Sequence, residues 1–204
     1  MAQMSWTRQT EFIDTWVNEL DMIVQGLNLP GNVLVEARRI LMRAVDKELT
    51  LGRKASCVAL SSLYLASGIV GVYVPISRLL ASPLAHGVRR GEFTSLVRMM
   101  MRELDVPSRA RSLTSKQYLA GIVRLLVIDG QLDKIRDHES LLKRADQIVR
   151  SITNRSGPNP AILAAASLYV AAEEQGVLLL QRGLAKAAGS SDVALRTYVK
   201  MLKT

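Results

Sequence analysis

The sequence repeats itself, and this repeat constrains the fold more than any other feature. Residues 62–66 (Ser-Leu-Tyr-Leu-Ala) return as residues 167–171 (Ser-Leu-Tyr-Val-Ala), 105 positions later. Two pairs of glycines have the same separation: Gly52 with Gly157, and Gly71 with Gly176. A period of this length exceeds that of solenoid repeats and indicates two copies of one domain.

Each copy is predicted to contain five helices. Apolar residues recur at helical spacing, and no stretch shows the apolar–polar alternation of a half-buried strand. The segments, separated by Gly and Pro, are roughly 7–26, 32–48, 54–67, 76–85 and 89–104, then 115–129, 138–153, 159–174, 179–188 and 191–203. The third helix of each copy is apolar almost all round and is expected at the centre of its domain. The chain is therefore predicted to be all-α, with tandem five-helix domains at residues 1–107 and 108–204.

Basic charge is concentrated in the second copy. Residues 1–107 carry 12 Lys or Arg and 10 Asp or Glu, a net charge of +2, whereas residues 108–204 carry 15 and 8, a net charge of +7. Such an excess favours a polyanionic partner for the second copy, and a solvated basic surface is the alternative.

The end of the second copy has the pattern of a helix-turn-helix. Apolar residues form the inner face of a short helix, a glycine permits a tight turn, and a Ser or Asp caps the next helix. In order these are Leu184, Ala185, Ala188, Gly189, Ser191 and Asp192. A major groove admits the second helix, where an Arg reaches a guanine edge. Ordinary helical hairpins share this pattern and are the alternative interpretation.

At these motifs the chain resembles the TFIIB/TFB family of general transcription initiation factors. Residues 157–169 match the family pattern Gly-x-x-Pro-x-x-x-Ala-Ala-Ala-x-Leu-Tyr, and residues 181–189 match Gln-Arg-x-x-Ala-x-x-Ala-Gly. The first copy agrees at Glu19–Asp21, Leu27–Pro30, Gly52-Arg53, Leu63–Ala66 and Arg102–Leu104, so the resemblance covers essentially the whole chain. Ala194 replaces the usual Thr, and Tyr198-Val199 replaces an Arg-Tyr or Ser-Tyr pair, which implies an altered base preference.

The resemblance implies two cyclin-like domains, the second ending in a helix-turn-helix. It also implies binding to promoter DNA together with the TATA-binding protein and RNA polymerase, and reading of an upstream element that sets the direction of transcription. The implied DNA-binding residues are Gln181, Arg182, Ser190, Ser191, Val193, Arg196 and Lys200, with Val193 and Arg196 at base edges. The implied contacts to the TATA-binding protein are Arg89, Arg90 and Arg102, with Arg109 and Arg111 flanking the short linker at residues 105–108. The alternative is a cyclin-like or retinoblastoma-like protein-binding module, or a divergent regulatory paralogue that reads no bases.

No enzyme motif is recognised in the sequence: nucleophile patterns and phosphate loops are missing. His86 and His138 are far apart and are interpreted as surface residues, and Cys57 alone can form neither an internal disulfide nor a Cys-rich zinc site. The family's zinc ribbon has no counterpart here, so no cofactor is expected. Residues 55–77 carry no charge but include Gly, Ser and Pro75, which favours a core helix over a membrane span. The expectation is a soluble intracellular protein without a membrane partner, cytoplasmic or nucleoid-associated in an archaeon and nuclear in a eukaryote.

Overall fold

A computed structural model of the chain describes residues 13, 16–18, 20–107, 113–132, 138–152 and 159–204. All regular structure over these residues is helical and none is β-strand, which confirms the predicted all-α class. Contacts divide the chain into two compact units, Met1–Ser112 and Leu113–Thr204. The domain boundary after residue 107 stays a prediction.

The first unit is built around one central helix. Over its described residues its helices are α1 (described over residues 20–26), α2 (Gly31–Asp46), α3 (Ala55–Val70), α4 (Ile76–Leu80) and α5 (Arg90–Glu103), with a 3-10 turn at Pro83–Ala85. Helix α3 contacts α2, α4, α5 and the 3-10 turn. Residues 56–63 of α3 are all buried, because helices cover it on several sides. The predicted central position of this helix is confirmed.

The second unit has the same plan. Its described helices are α6 (Ser115–Ile128), α7 (His138–Ile152), α8 (Pro160–Glu174), α9 (Gln181–Ala187) and α10 (Asp192–Lys203). Helix α8 contacts all four of the others. Eleven of its 15 residues are buried, most of them alanine or another aliphatic residue. This helix too lies where the sequence predicts it.

Two predicted helix ends are wrong for identifiable reasons. The segment 76–85 is not one helix: α4 ends at Leu80, and Pro83 begins a 3-10 turn because proline has no N–H to continue a helix. Helix α3 continues beyond Ser67 to Val70. The Ser67 hydroxyl donates to the Leu63 carbonyl at 2.8 Å, so this polar residue is accommodated within the helix. Gly71, with φ +84°, forms the left-handed C-cap.

The repeated tyrosine of each central helix lies against the last helix of its own unit. The Tyr64 ring meets Phe93 of α5 edge to face, with centroids 5.7 Å apart and planes at 72°. In the second unit, Lys203 Nζ of α10 lies 5.8 Å from the centroid of the Tyr169 ring. In each unit the central helix therefore uses this tyrosine to contact the last helix.

Candidate nucleic-acid interface

The last two helices are joined by a tight turn. Helix α9 ends in a C-cap at Ala188, and Gly189 follows with φ +64°, a conformation that favours glycine. The Ser190 N–H donates to the Ala185 carbonyl at 2.9 Å, which closes the end of α9. The role predicted for Gly189 is confirmed.

A serine caps the start of α10. Ser191 Oγ accepts a hydrogen bond from the Ala194 N–H at 3.3 Å. Asp192 is the first residue of the helix, where a negative charge interacts favourably with the helix dipole. Of the two predicted caps, Ser191 is therefore the one that the structure uses.

Buried residues hold α9 and α10 in place. Leu184, Ala185 and Ala188 are at most 5% exposed, as predicted for the inner face of the first helix. On α10, Leu195 and Val199 are buried one turn apart. Both helices contact α8 and each other. The side chains on their outer faces are consequently presented from a packed support.

The outer face of α10 combines an apolar residue with two cations. Val193 is 67% exposed, and Arg196, Thr197 and Lys200 are exposed at the spacing of a single helix face. Arg196 Nε donates to the Asp192 carbonyl at 3.3 Å, which uses one of the five N–H groups of the guanidinium. Thr197 is not among the residues predicted from the sequence, although its position four residues after Val193 places it on the same face.

The remaining predicted DNA-binding residues lie on α9 or in the turn. Arg182 is exposed, Ser191 is exposed, and Gln181 and Ser190 are partly exposed. All seven residues therefore lie on α9, on α10 or in the turn between them, with accessible side chains. That this segment is a DNA-binding helix-turn-helix stays a prediction, as does the role of these residues in DNA binding.

Three cations of this segment, Arg182, Arg196 and Lys200, differ from other cations of the second unit. Over the described residues, Arg144, Arg150 and Lys203 form ion pairs with Glu174, Asp146 and Glu173 at 2.6, 2.9 and 2.6 Å. Within the same described ranges, no acidic side chain forms an ion pair with Arg182, Arg196 or Lys200. The positive charge of these three residues is therefore available to attract anions from outside the protein.

The turn that follows α6 packs against α9. A Cβ on Gly183 would lie 1.7 Å from Gln131 Oε1, so the Gln131 amide rests directly on the backbone of α9. On α9, three residues after Gly183, Lys186 Nζ lies 3.2 Å from Asp129 Oδ2. Neither contact is predicted from the sequence, because the partners are distant along the chain.

The arginines predicted to contact the TATA-binding protein do not form one cluster. Arg89 is the N-cap residue of α5 and Arg90 its first residue, and both are exposed. Arg102 lies near the other end of α5, about 18 Å away at 1.5 Å per residue, and pairs with Glu103 at 2.9 Å. Arg109 and Arg111 lie outside the described residues. The contact with the TATA-binding protein stays a prediction.

The histidines and the cysteine are also placed. His86 is exposed, while His138 is partly buried with Nε2 3.3 Å from the Leu132 carbonyl oxygen. Cys57 is buried, and burial raises the pKa of its thiol. Among the described residues, no three His, Cys, Asp or Glu side chains come together as a metal site. In the same ranges, no helix is long and apolar enough to cross a membrane.

Comparisons with known proteins identify the family. No family model matches the chain. Archaeal proteins named transcription initiation factor IIB match it at 30% identity over 93% of the chain (Pyrodictium occultum), 31% over 91% (Sulfurisphaera tokodaii) and 28% over 98% (Pyrobaculum neutrophilum). The chain belongs to the transcription initiation factor IIB family. It spans 57–58% of the length of these three relatives.

Family membership confirms the resemblance found in the repeated motifs. Because the match to the Pyrobaculum neutrophilum factor IIB covers 98% of the chain, it includes nearly all of both units. All three relatives have the name of an initiation factor rather than that of an enzyme.

Proposed function

We propose that this transcription initiation factor IIB family member binds promoter DNA through α9 and α10. The observation that carries the proposal is the outer face of α10, where Val193, Arg196 and Lys200 are exposed on a helix held by buried residues. With 12 residues the helix is about 18 Å long, and a major groove about 12 Å wide admits a helix.

The exposed side chains suit two kinds of DNA contact. An arginine pairs with the O6 and N7 atoms of guanine, and apolar methyl groups contact the methyl group of thymine, so Arg196 and Val193 are assigned to base edges. Arg182 and Lys200 are assigned to phosphates, together with the polar side chains of Gln181, Ser190 and Ser191. Phosphate contacts position the protein, whereas base contacts select the sequence.

The proposed setting is the assembly of transcription initiation. The chain binds beside the TATA-binding protein, through the arginines of α5, and reads an element upstream of the TATA box. Because that element lies on one side only, reading it orients RNA polymerase. The protein acts here by binding, and it works inside the cell where these partners are found.

A protein-binding module is the second candidate. Leu178 is 88% exposed and Leu180 is 60% exposed in the segment that leads into α9. Two exposed leucines, separated only by the buried Leu179, favour a protein contact. On this alternative, the α9–α10 segment binds a protein rather than bases.

Arginine variants separate the two candidates. Binding is measured by gel shift with the TATA-binding protein on promoter duplexes whose positions upstream of the TATA box are randomised, and bound duplexes are sequenced. Arg196→Ala is expected to cost about 1–3 kcal/mol on the preferred sequence and to relax selection at one or two positions. The matched control is Arg150→Ala on α7, which removes the same charge from an exposed position.

The control is expected to leave the selected sequence unchanged. Thermal melts check that neither variant unfolds, because an exposed Arg→Ala usually changes stability by less than about 0.5 kcal/mol. If Arg196→Ala retains both wild-type affinity and wild-type selection, α10 does not read bases. The protein-binding module is then the better account.

A further inference from the structure

Lys186 is an exposed cation of α9 that already has an internal anion. Its ammonium lies 3.2 Å from Asp129 Oδ2, while its side chain is 61% exposed. The Asp129 side chain is only 14% exposed. The pair therefore consists of an accessible cation on the proposed DNA-binding segment and a largely covered carboxylate behind it.

The backbone that carries the Asp129 carboxylate is held in place, whereas the lysine is able to move. Asp129 is the C-cap of α6, and its N–H donates to the Leu125 carbonyl at 3.0 Å. Gln131, two residues later, is held against Gly183 of α9. A lysine has a flexible four-carbon stem and three donors that rotate, so its ammonium can exchange partners without moving the helix.

Lys186 also lies on the side of α9 that points outward. It follows the exposed Arg182 by four residues, one turn of helix, so both share a face. With Arg182 at a phosphate as proposed, that phosphate is within about one helical turn of the Lys186 stem. A phosphate and a carboxylate then compete for one ammonium.

We propose that Asp129 competes with DNA for Lys186, so that Asp129 limits the DNA affinity of the protein. This inference rests on the proposed function. When α9 docks, the Lys186 ammonium leaves the carboxylate for a phosphate. Because the Lys186 side chain is 61% exposed, solvent screens its attraction to Asp129 and the exchange is easily made. Leaving Asp129 nevertheless lowers the gain from the new contact. Because phosphates have no sequence information, Asp129 lowers the affinity for all sequences alike.

A double-mutant cycle tests this competition. The four proteins are the wild type, Asp129→Asn, Lys186→Met and the double variant, and the probe is a labelled duplex of mixed sequence, measured by fluorescence anisotropy over a salt series. Asp129→Asn is expected to tighten binding about two- to fivefold when Lys186 is present. In the Lys186→Met background this gain is expected to fall to the level of a control.

The control is Glu174→Gln, which removes one negative charge from the second unit and releases Arg144 instead. It measures the general effect of a more positive protein. Lys186→Met alone is expected to reduce the slope of log affinity against log salt by about one, because one phosphate contact is lost. This readout does not depend on any substitution of Asp129, and thermal melts confirm that each variant is folded.

The outcomes are distinguishable. Equal gains from Asp129→Asn in both backgrounds would mean that Asp129 acts as a simple repelling charge, which overturns the inference. An unchanged salt slope in Lys186→Met also overturns it, because Lys186 then reaches no phosphate. A wild-type chain that binds no DNA, with or without the TATA-binding protein, overturns the proposed function and this inference together.

Discussion

Helix α9 begins without a side-chain cap, and supplying one is expected to stabilise the second unit. Its N-cap residue is Leu180, with φ −81° and ψ 121° and no side-chain hydrogen bond. Helices α6, α8 and α10 of this unit do have side-chain caps. Thr114 accepts from the Gln117 N–H, Asn159 from the Ala161 N–H, and Ser191 from the Ala194 N–H. In Leu180→Ser the hydroxyl is expected to accept from the Gly183 N–H, as Ser191 does from Ala194.

The size of the effect follows from comparing two variants. Leu180 is 60% exposed, so Leu180→Ser and Leu180→Ala lose the same limited apolar contact. The difference between them isolates the cap. Serine is favoured over alanine at an N-cap by about 1 kcal/mol, with a range of roughly 0.5–2 kcal/mol. For a unit of this size, such a difference raises Tm by about 4–8 °C.

Urea titrations and thermal melts followed by circular dichroism measure the difference. The serine variant is expected to have a higher midpoint than the alanine variant at an unchanged slope. Equal midpoints would refute the reasoning, because the first N–H groups of α9 would then be satisfied without a side chain. Leu180→Thr provides a second cap of different shape and is expected to fall close to serine.

Three further substitutions or modifications have defined outcomes. Ser191→Ala removes the cap of α10 and is expected to lower the free energy of unfolding by about 1 kcal/mol in urea titrations. An unchanged value would show that the 3.3 Å hydrogen bond from the Ala194 N–H to Ser191 Oγ contributes nothing. In a Gln131→Ala background, Gly183→Ala is expected to raise the free energy of unfolding by about 1 kcal/mol, because alanine has the higher helix propensity. In the wild type the gain is expected to be smaller, because the new Cβ meets Gln131, and equal gains would contradict that contact. Cys57 is expected to react slowly with iodoacetamide in the folded protein and rapidly in urea, because its thiol is buried and has a raised pKa. Fast labelling of the folded protein, measured by mass spectrometry, would contradict this burial.

Local patterns in the sequence predicted most of the fold. The apolar surface of α8 and the turn at Gly189 depend on residues that are close together along the chain, and both are confirmed. The end of α3 is predicted at Ser67, three residues too early, because the sequence does not show that the Ser67 hydroxyl bonds within its own helix. Pro83 was the available signal for the break after α4, and the apolar residues around it obscured that signal.

Contacts across the unit were not predictable from the sequence. The seven residues proposed to bind DNA were found because a motif places them in one segment. In contrast, the pairing of Lys186 with Asp129 and the contact of Gly183 with Gln131 join positions more than 50 residues apart. A glycine inside α9 was the one local sign of a close approach, and it does not identify the neighbour.

The nearly complete burial of α8 has a consequence for protein synthesis. This helix leaves the ribosome before α9 and α10, which cover part of its apolar surface in the finished unit. Until they arrive, that surface is open to chaperones or to other nascent chains. The helix proposed to read DNA is also the one that closes the core, so a chain interrupted before α10 would lack the reading surface and expose the residues that promote aggregation.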